Sequence, residues 1–158
     1  MTEAPLTVRE ATEGDAELLL AWRNDPGTRR WSRAGEVVAL EDHMRWLEGV
    51  LASPDRLLFV AEEGGPVGTV RFDVVEGESV GTWEVSITVA PGSRGRGLAG
   101  RVLAAGEREL RGLRSARRVL ATVHEDNVAS LALFGRAGYA VTPEPGPFRV
   151  LAKSLENA

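Results

Sequence analysis

Apolar residues recur along this chain in two rhythms, and their succession lays out a fold. Strict alternation is clearest at 83–89, where Trp83, Val85, Ile87 and Val89 are interleaved with Glu84, Ser86 and Thr88. The same reading predicts strands at 6–9, 57–62, 67–75, 118–123, 139–142 and 148–152. Residues 63–66 and 76–81 form turns between the central strands, and the proline-rich turn 143–147 precedes the last one. The helical rhythm predicts 16–23 (Leu18, Leu19, Trp22), 40–51 (Leu40, Met44, Leu47, Leu51), 98–113 (Leu98, Val102, Ala105, Leu110, Leu113) and 128–137. Asp15 is the predicted N-cap of the first helix, and the turn residues Asn24-Asp25-Pro26-Gly27 stop it.

The order β-α-α-β-β-β-α-β-α-β-β is that of an α+β or mixed-sheet domain. With 158 residues and neither repeat nor linker, residues 1–158 read as one domain. Hydrophobic residues make up 43 % and charged residues 27 %, and no apolar run has the length of a membrane span. The opening MTEAPLTVRE lacks the basic and then apolar start of a signal peptide, so the expected location is cytoplasmic. The absence of cysteine excludes disulfides and thiolate chemistry, and His43 and His124 alone are too few for a structural zinc site. A net charge of −4 argues against nucleic acid as a partner.

The candidate chemistry begins at the end of the alternating strand. Gly95-Arg96-Gly97-Leu98-Ala99-Gly100 matches GxGxxG, a dinucleotide-binding pattern. Three features oppose that reading. Pro91-Gly92-Ser93-Arg94 separates the strand from the first glycine, the strand has two unlike faces, and only about sixty residues follow, too few for a doubly wound fold. No Walker A sequence is present. The same residues also read as Arg94-x-x-Gly97-x-Ala99, a loop poor in Cβ atoms whose N–H groups and following helix N-terminus suit one pyrophosphate. Arg94, Arg96 and Arg101 add possible donors to phosphates.

This segment resembles the acetyl-CoA loop of the GCN5-related N-acetyltransferases (GNAT). The stretch Asn127-x-x-Ser130-x-x-Leu133-Phe134-x-x-x-Gly138-Tyr139 is similar to that family's other signature. The resemblance spans nearly the whole chain. It implies a central, mostly antiparallel twisted sheet of about six to seven strands with about four helices, whose fourth and fifth strands splay around pantetheine. It also implies that the main chain of Ile87, Thr88 and Val89 pairs with pantetheine, that amides of Gly95, Arg96, Gly97, Leu98, Ala99 and Gly100 cradle the pyrophosphate beside Arg94, and that Asn127 and Ser130 bond the pantetheine side. Asn127 equally suits an N-cap for the helix it precedes. Acetyl-CoA is thus the expected co-substrate, without a metal.

Transfer to an amine needs the neutral amine, and at pH 7 an amine of pKa about 10.4 pays about 4–5 kcal/mol for it. Glu84, on the polar face of its strand, is the first candidate base, and His124 the second. Main-chain N–H near Val89 is the expected oxyanion donor. Many relatives carry a tyrosine acid where this chain has Phe134, so the acid is unassigned, and a non-catalytic acyl-CoA-binding domain is one alternative. Trp22, Arg23, Asn24, Arg30, Trp31, His43 and Trp46 are the candidate acceptor residues, with the Arg29-Arg30-Trp31-Ser32 element expected on a polar loop. Arginine forks suit phosphates and a tryptophan face suits a base or sugar. The segments Trp22-Arg23-Asn24-Asp25-Pro26, Arg29-Arg30-Trp31-Ser32, His43-x-x-Trp46-Leu47 and Gly68-x-Val70-Arg71-Phe72-Asp73 resemble acetyltransferases of pseudaminic-acid-type glycan synthesis. They resemble RimJ/RimL-type N-terminal acetyltransferases somewhat less. The resemblance implies a nucleotide-linked amino sugar as acceptor, with a protein N-terminus as the alternative. A homodimer is compatible with the sequence and not required by it.

Overall fold

The computed structural model describes residues 5–31, 35–143 and 145–156, so Ser32 and Glu144 of the segments above lie outside the described residues. Seven strands form one sheet: β1 (Thr7–Glu10), β2 (Arg56–Glu62), β3 (Pro66–Val74), β4 (Thr82–Val89), β5 (Arg118–His124), β6 (Ala140–Val141) and β7 (Phe148–Ser154). Their order is β1-β2-β3-β4-β5-β7-β6, and every pair is antiparallel except β4 with β5. Among the described residues five α-helices accompany them: α1 (Ala16–Asn24), α2 (Pro26–Trp31), α3 (Leu40–Ala52), α4 (Leu98–Leu113) and α5 (Val128–Arg136).

The sheet has a core on each face. On one, Leu98, Val102, Leu103 and Leu110 of α4 and Phe134 of α5 pack on Phe59, Val70, Phe72, Trp83, Val85 and Val119. On the other, Leu19 and Trp22 of α1 and Leu47 and Val50 of α3 cover Leu58 and Val60 of β2. β2 is therefore apolar on both sides, which explains its unbroken run LLFVA. β3 and β4 are different. Their α4-side residues are apolar, but Thr69, Arg71, Ser86 and Thr88 face the α1/α3 layer and leave room between the two.

Three local expectations change. The arginine pair lies on a short helix, α2, and not on a loop. Asp25 caps it, its Oδ2 accepting from the N–H of Gly27 (3.0 Å) and Thr28 (3.2 Å), while Pro26 takes the first helical position where a missing N–H costs nothing. Asp15 takes the expected N-cap position of α1, but its side chain makes no cap hydrogen bond there. Its carboxylate turns back to the Thr12 N–H (2.8 Å) and to both ends of the Arg9 guanidinium (2.8 and 2.9 Å), which lowers its pKa. Finally, α3 is rotated from its expected face. Leu40 and Leu51 are 49 % and 38 % exposed, and the buried stripe is His43, Leu47 and Val50. A histidine thus occupies a core position at helical spacing.

Helix α4 approaches the sheet closely at Gly106. A Cβ there would lie 2.7 Å from Val70 Cγ1 and 3.2 Å from Phe72 Cε2, and both residues are fully buried. Gly106→Val is therefore expected to lower stability by about 2–3 kcal/mol through overpacking, read as a lower denaturant midpoint at unchanged slope. A variant as stable as the parent would show that α4 can lift off the sheet at no cost.

Burial lowers the His43 pKa, a main-chain hydrogen bond at Ala16 opposes the shift, and nearby Arg23 adds to it. The folded state then resists a proton that the unfolded chain accepts. The stabilisation is full above the unfolded value of about 6.5 and is lost as pH falls from there toward the lower folded value. Thermal melting between pH 8 and pH 5 should show the parent losing more stability than His43→Gln. Parallel melting curves for the two would exclude His43 as the cause.

Candidate active site

The sheet comes apart in its middle. β4 and β5 pair only at Thr82–Arg118, Trp83–Val119 and Glu84–Leu120. Beyond Glu84, β4 stays paired with β3 as far as Val89, and β5 stays paired with β7 as far as His124. The β5-facing edge of Val85–Val89 is therefore open, and Ile87, Thr88 and Val89 lie along it. Thr122 of β5 donates to Glu84 Oε2 (2.9 Å) across the base of this wedge. Gly68 belongs to the same design, since a Cβ there would sit 2.5 Å from the Thr88 carbonyl oxygen.

At the end of β4 a short 3-10 turn, Pro91–Ser93, leads into the glycine loop. Gly95 and Gly97 have φ of 80° and 68°, the left-handed region that a side chain disfavours, and Gly97 is the N-cap of α4. Left-handed residues before a helix start gather N–H groups into an anion-binding concavity. Gly97, Ala99 and Gly100 line a cavity of about 670 Å³ with Ser130 of α5, so the two sequence signatures meet at one place. Leu98 can contribute only its main chain, because its side chain is in the core. Asn127 is the N-cap of α5, its Oδ1 accepting from the Ser130 N–H (3.2 Å).

The loop arginines are engaged elsewhere. Arg94 Nη2 donates to Asp25 Oδ2 (2.8 Å) and Thr28 Oγ1 (3.0 Å), and the guanidinium lowers the Asp25 pKa. Arg96 donates to Glu63 Oε1 (2.8 Å), and Arg101 lies 2.6 Å from Glu63 Oε2 without hydrogen-bond geometry. Arg136 and Lys153 also line the larger cavity. Sequence reasoning did not single them out, because an arginine on an amphipathic helix and a lysine in a terminal strand carry no pattern. Lys153 Nζ donates to the buried Glu107 (2.6 Å), which also accepts from the Tyr139 hydroxyl (2.8 Å). Burial and then the Glu107 charge push the Tyr139 pKa up, and its ring packs edge-on against Phe134 at 5.1 Å. Neither aromatic offers a proton to the wedge.

A second cavity, of about 340 Å³, opens on the polar face of β3 and β4 under α1 and α3. Trp22, Arg23, His43 and Trp46 line it with Thr69, Arg71, Ser86 and Thr88, so four of the predicted acceptor residues converge there. His43 is 4 % exposed and stacks on Trp46 at 5.5 Å. Arg71 lies over the Trp46 ring at 5.2 Å and is paired with Asp73 (2.9 Å). The other three acceptor candidates are outside. Asn24 spends its amide on the Val38 main chain, donating to O (2.9 Å) and accepting from N (2.7 Å), and so fixes the approach to α3. Arg30 stacks over Trp31 at 4.8 Å, and Trp31 lies 5.9 Å from His124. His124 in turn meets the Phe148 ring edge-on at 5.3 Å, and its Nδ1 accepts from the Asp126 N–H (3.1 Å). Of the two candidate bases, Glu84 shares the β4 face of Ser86 and Thr88, whereas His124 sits on the far wing.

A family model described as an acetyltransferase (GNAT) domain matches residues 5–140. No curated protein matches the chain in sequence. Among solved structures, a putative phosphinothricin N-acetyltransferase is 28 % identical, with a TM-score of 0.81 over 97 % of this chain and 100 % of that one. A ribosomal-protein-alanine N-acetyltransferase from Brucella melitensis is 27 % identical, with a TM-score of 0.79 over 94 % and 99 %. An aminoglycoside acetyltransferase in complex with coenzyme A is 20 % identical, with a TM-score of 0.81 over 96 % and 95 %, a likeness of fold alone. The parted sheet and the family match agree, and the chain belongs to the GNAT acetyltransferases.

Proposed function

We propose that the chain transfers the acetyl group of acetyl-CoA to the primary amine of a small molecule held in the 340 Å³ cavity, the acceptor being a nucleotide-linked amino sugar. The observation that carries this reading is the cavity itself: it lies on the polar face of β4, whose open edge bounds the wedge, so donor and acceptor would meet at one strand. The donor side fits the chemistry of acetyl-CoA in three respects. The open edge of Val85–Val89 offers main-chain groups to an amide-bearing arm, the left-handed Gly95 and Gly97 suit a pyrophosphate, and Ser130 faces the same cavity as that loop. When bound, acetyl-CoA supplies an activated acetyl thioester.

The residues of the chain would do the rest. Ile87, Thr88 and Val89 orient the thioester along β4, and a main-chain N–H near Val89 stabilises developing negative charge on its oxygen. Glu84 takes the amine proton, directly or through water, oriented by its Thr122 hydrogen bond. Phe134 and the Glu107-bound Tyr139 leave no phenol for the departing thiolate, which at a pKa of about 8.5 can leave unprotonated or draw a proton from water. A sugar ring would lie between Trp22 and Trp46, and the nucleotide would pass the exposed Arg30 and the Trp31 face on α2. The likeness at 27 % identity to a ribosomal-protein-alanine N-acetyltransferase supports a second reading, a protein N-terminus, whose pKa near 7.7–8.0 needs less help from a base.

Release of free thiol from acetyl-CoA should be fastest with a nucleotide-linked amino sugar and slow with peptides bearing free N-termini. The reverse order would support the second reading. Glu84→Gln should lower kcat by about a hundredfold at pH 7, with the deficit shrinking as pH approaches the pKa of the amine. An unchanged rate at pH 7 would remove Glu84 from the mechanism.

A further inference from the structure

Two residues that line the acceptor cavity each carry a polar atom with almost no accessible surface and no hydrogen-bond partner: Arg23 Nη1 and His43 Nε2. Both are unusual. A buried donor or acceptor without a partner costs more than the same position filled by an apolar side chain, and a guanidinium costs more still. Among the described residues no carboxylate pairs with Arg23, although the chain pairs most of its other central arginines, including Arg9, Arg56, Arg71, Arg94 and Arg96. His43 could have been a leucine on the α3 stripe that continues through Leu47 and Val50. The two groups also come from different helices, α1 and α3, and meet closely enough for Arg23 to disfavour a proton on His43.

The charge of the cavity points the same way. Among the described residues its lining includes Arg23 and Arg71 and no aspartate or glutamate. Asp73 neutralises Arg71 but is shared with Arg56 at 2.9 Å, so it is not available to Arg23. A polyamine would meet uncompensated positive charge here, whereas an anion would complete Arg23 with a charge-assisted hydrogen bond. Arg23 and His43 stand on the helical wall, and Ser86 and Thr88 stand on β4 beside the open edge. A single small molecule can therefore place an acid group at one wall and its amine at the other.

We propose that Arg23, with His43 beside it, forms a subsite for an anionic group, a carboxylate or a phosphate, on the acceptor, so that the substrate class is a primary amine carrying an acid within the same small molecule. This rests on the reading that the acceptor occupies the 340 Å³ cavity. The Arg23 guanidinium binds the anion, and His43, neutral and donating at Ala16 through its other nitrogen, accepts at Nε2 from a hydroxyl beside that group. The subsite acts on binding and takes no part in bond making.

The test uses the whole chain, saturated with coenzyme A at pH 7.5, and calorimetric titration with four probes in two matched pairs. Phosphoethanolamine is set against ethanolamine, and β-alanine against propylamine. At least one acidic probe should bind ten times or more tightly than its neutral twin, and the pair that shows the larger ratio identifies phosphate or carboxylate as the preferred group. Arg23→Gln should bring that ratio to within twofold while melting at or above the parental temperature, because it removes an uncompensated buried charge. The His43 ring nitrogen resonance should move with the acidic probes alone. Equal affinities within both pairs, no binding by any probe, or a preference that survives Arg23→Gln would each overturn the subsite. Acetylation is scored separately with the tighter probe. Preferential binding without thiol release would leave the subsite standing and sink small-molecule N-acetylation.

Discussion

The structure depends on one unmade set of hydrogen bonds. A strand in the middle of a sheet normally spends both edges on neighbours, and buried main-chain groups are almost always paired. β4 keeps its β3 edge along its length but gives up its β5 edge after Glu84. Such a parting collapses unless something holds the wings. Part of the brace is at the base, where Thr122 reaches Glu84. The other part is α2. At its start, Asp25 and Thr28 hold Arg94 on the loop beyond β4, and at its end Trp31 meets His124 at the end of β5. A Cβ at Gly27 would lie 2.8 Å from Arg94 Nη1, so a side chain there would displace the tip of the arginine. A six-residue helix with no buried residue thus spans the mouth of the wedge.

The two faces of β3 and β4 divide stability from recognition. Toward α4 they carry Val70, Phe72, Trp83 and Val85, all buried, and full burial of such side chains contributes about 1.5–3 kcal/mol each. Toward α1 and α3 they carry Thr69, Arg71, Ser86 and Thr88, and the helices cannot close on them as they close on β2. The cavity is what remains. Its orphaned Arg23 and His43 atoms add a cost that the α4 core must offset. Where local packing rules are broken in a domain that otherwise obeys them, a ligand is the physical reason to look for first.

Element type was legible along most of the chain because periodicity reports burial directly. The helix at 98–113 and the alternating β4 were predicted almost to the residue, and the GNAT signatures pointed to the family. The misreadings have a common cause. Pro26-Gly27 signals a turn, yet with Asp25 before it the same pair starts a helix, and propensity could not choose between them. On α3 the leucines at 40 and 51 outweighed a histidine in the pattern, although burial ran through His43. Side-chain partners were the least legible of all, since nothing in the loop sequence announces that Glu63 and Asp25 hold its arginines.

Those partners refine how the loop can recognise a phosphate. Arg94 and Arg96 are committed to carboxylates, so direct phosphate binding by either would first have to break an ion pair. Main-chain N–H groups of Gly95 to Gly100 face no such competition, since the helix start leaves them without intrahelical acceptors. The division suits a donor site. The positive φ of Gly95 and Gly97 sets the course of the loop's backbone, while the arginines tie the loop to α2 and to the end of β2. The positive charge of the loop then acts through architecture, and under the proposed function the glycines, not the arginines, would present the groups that meet a pyrophosphate.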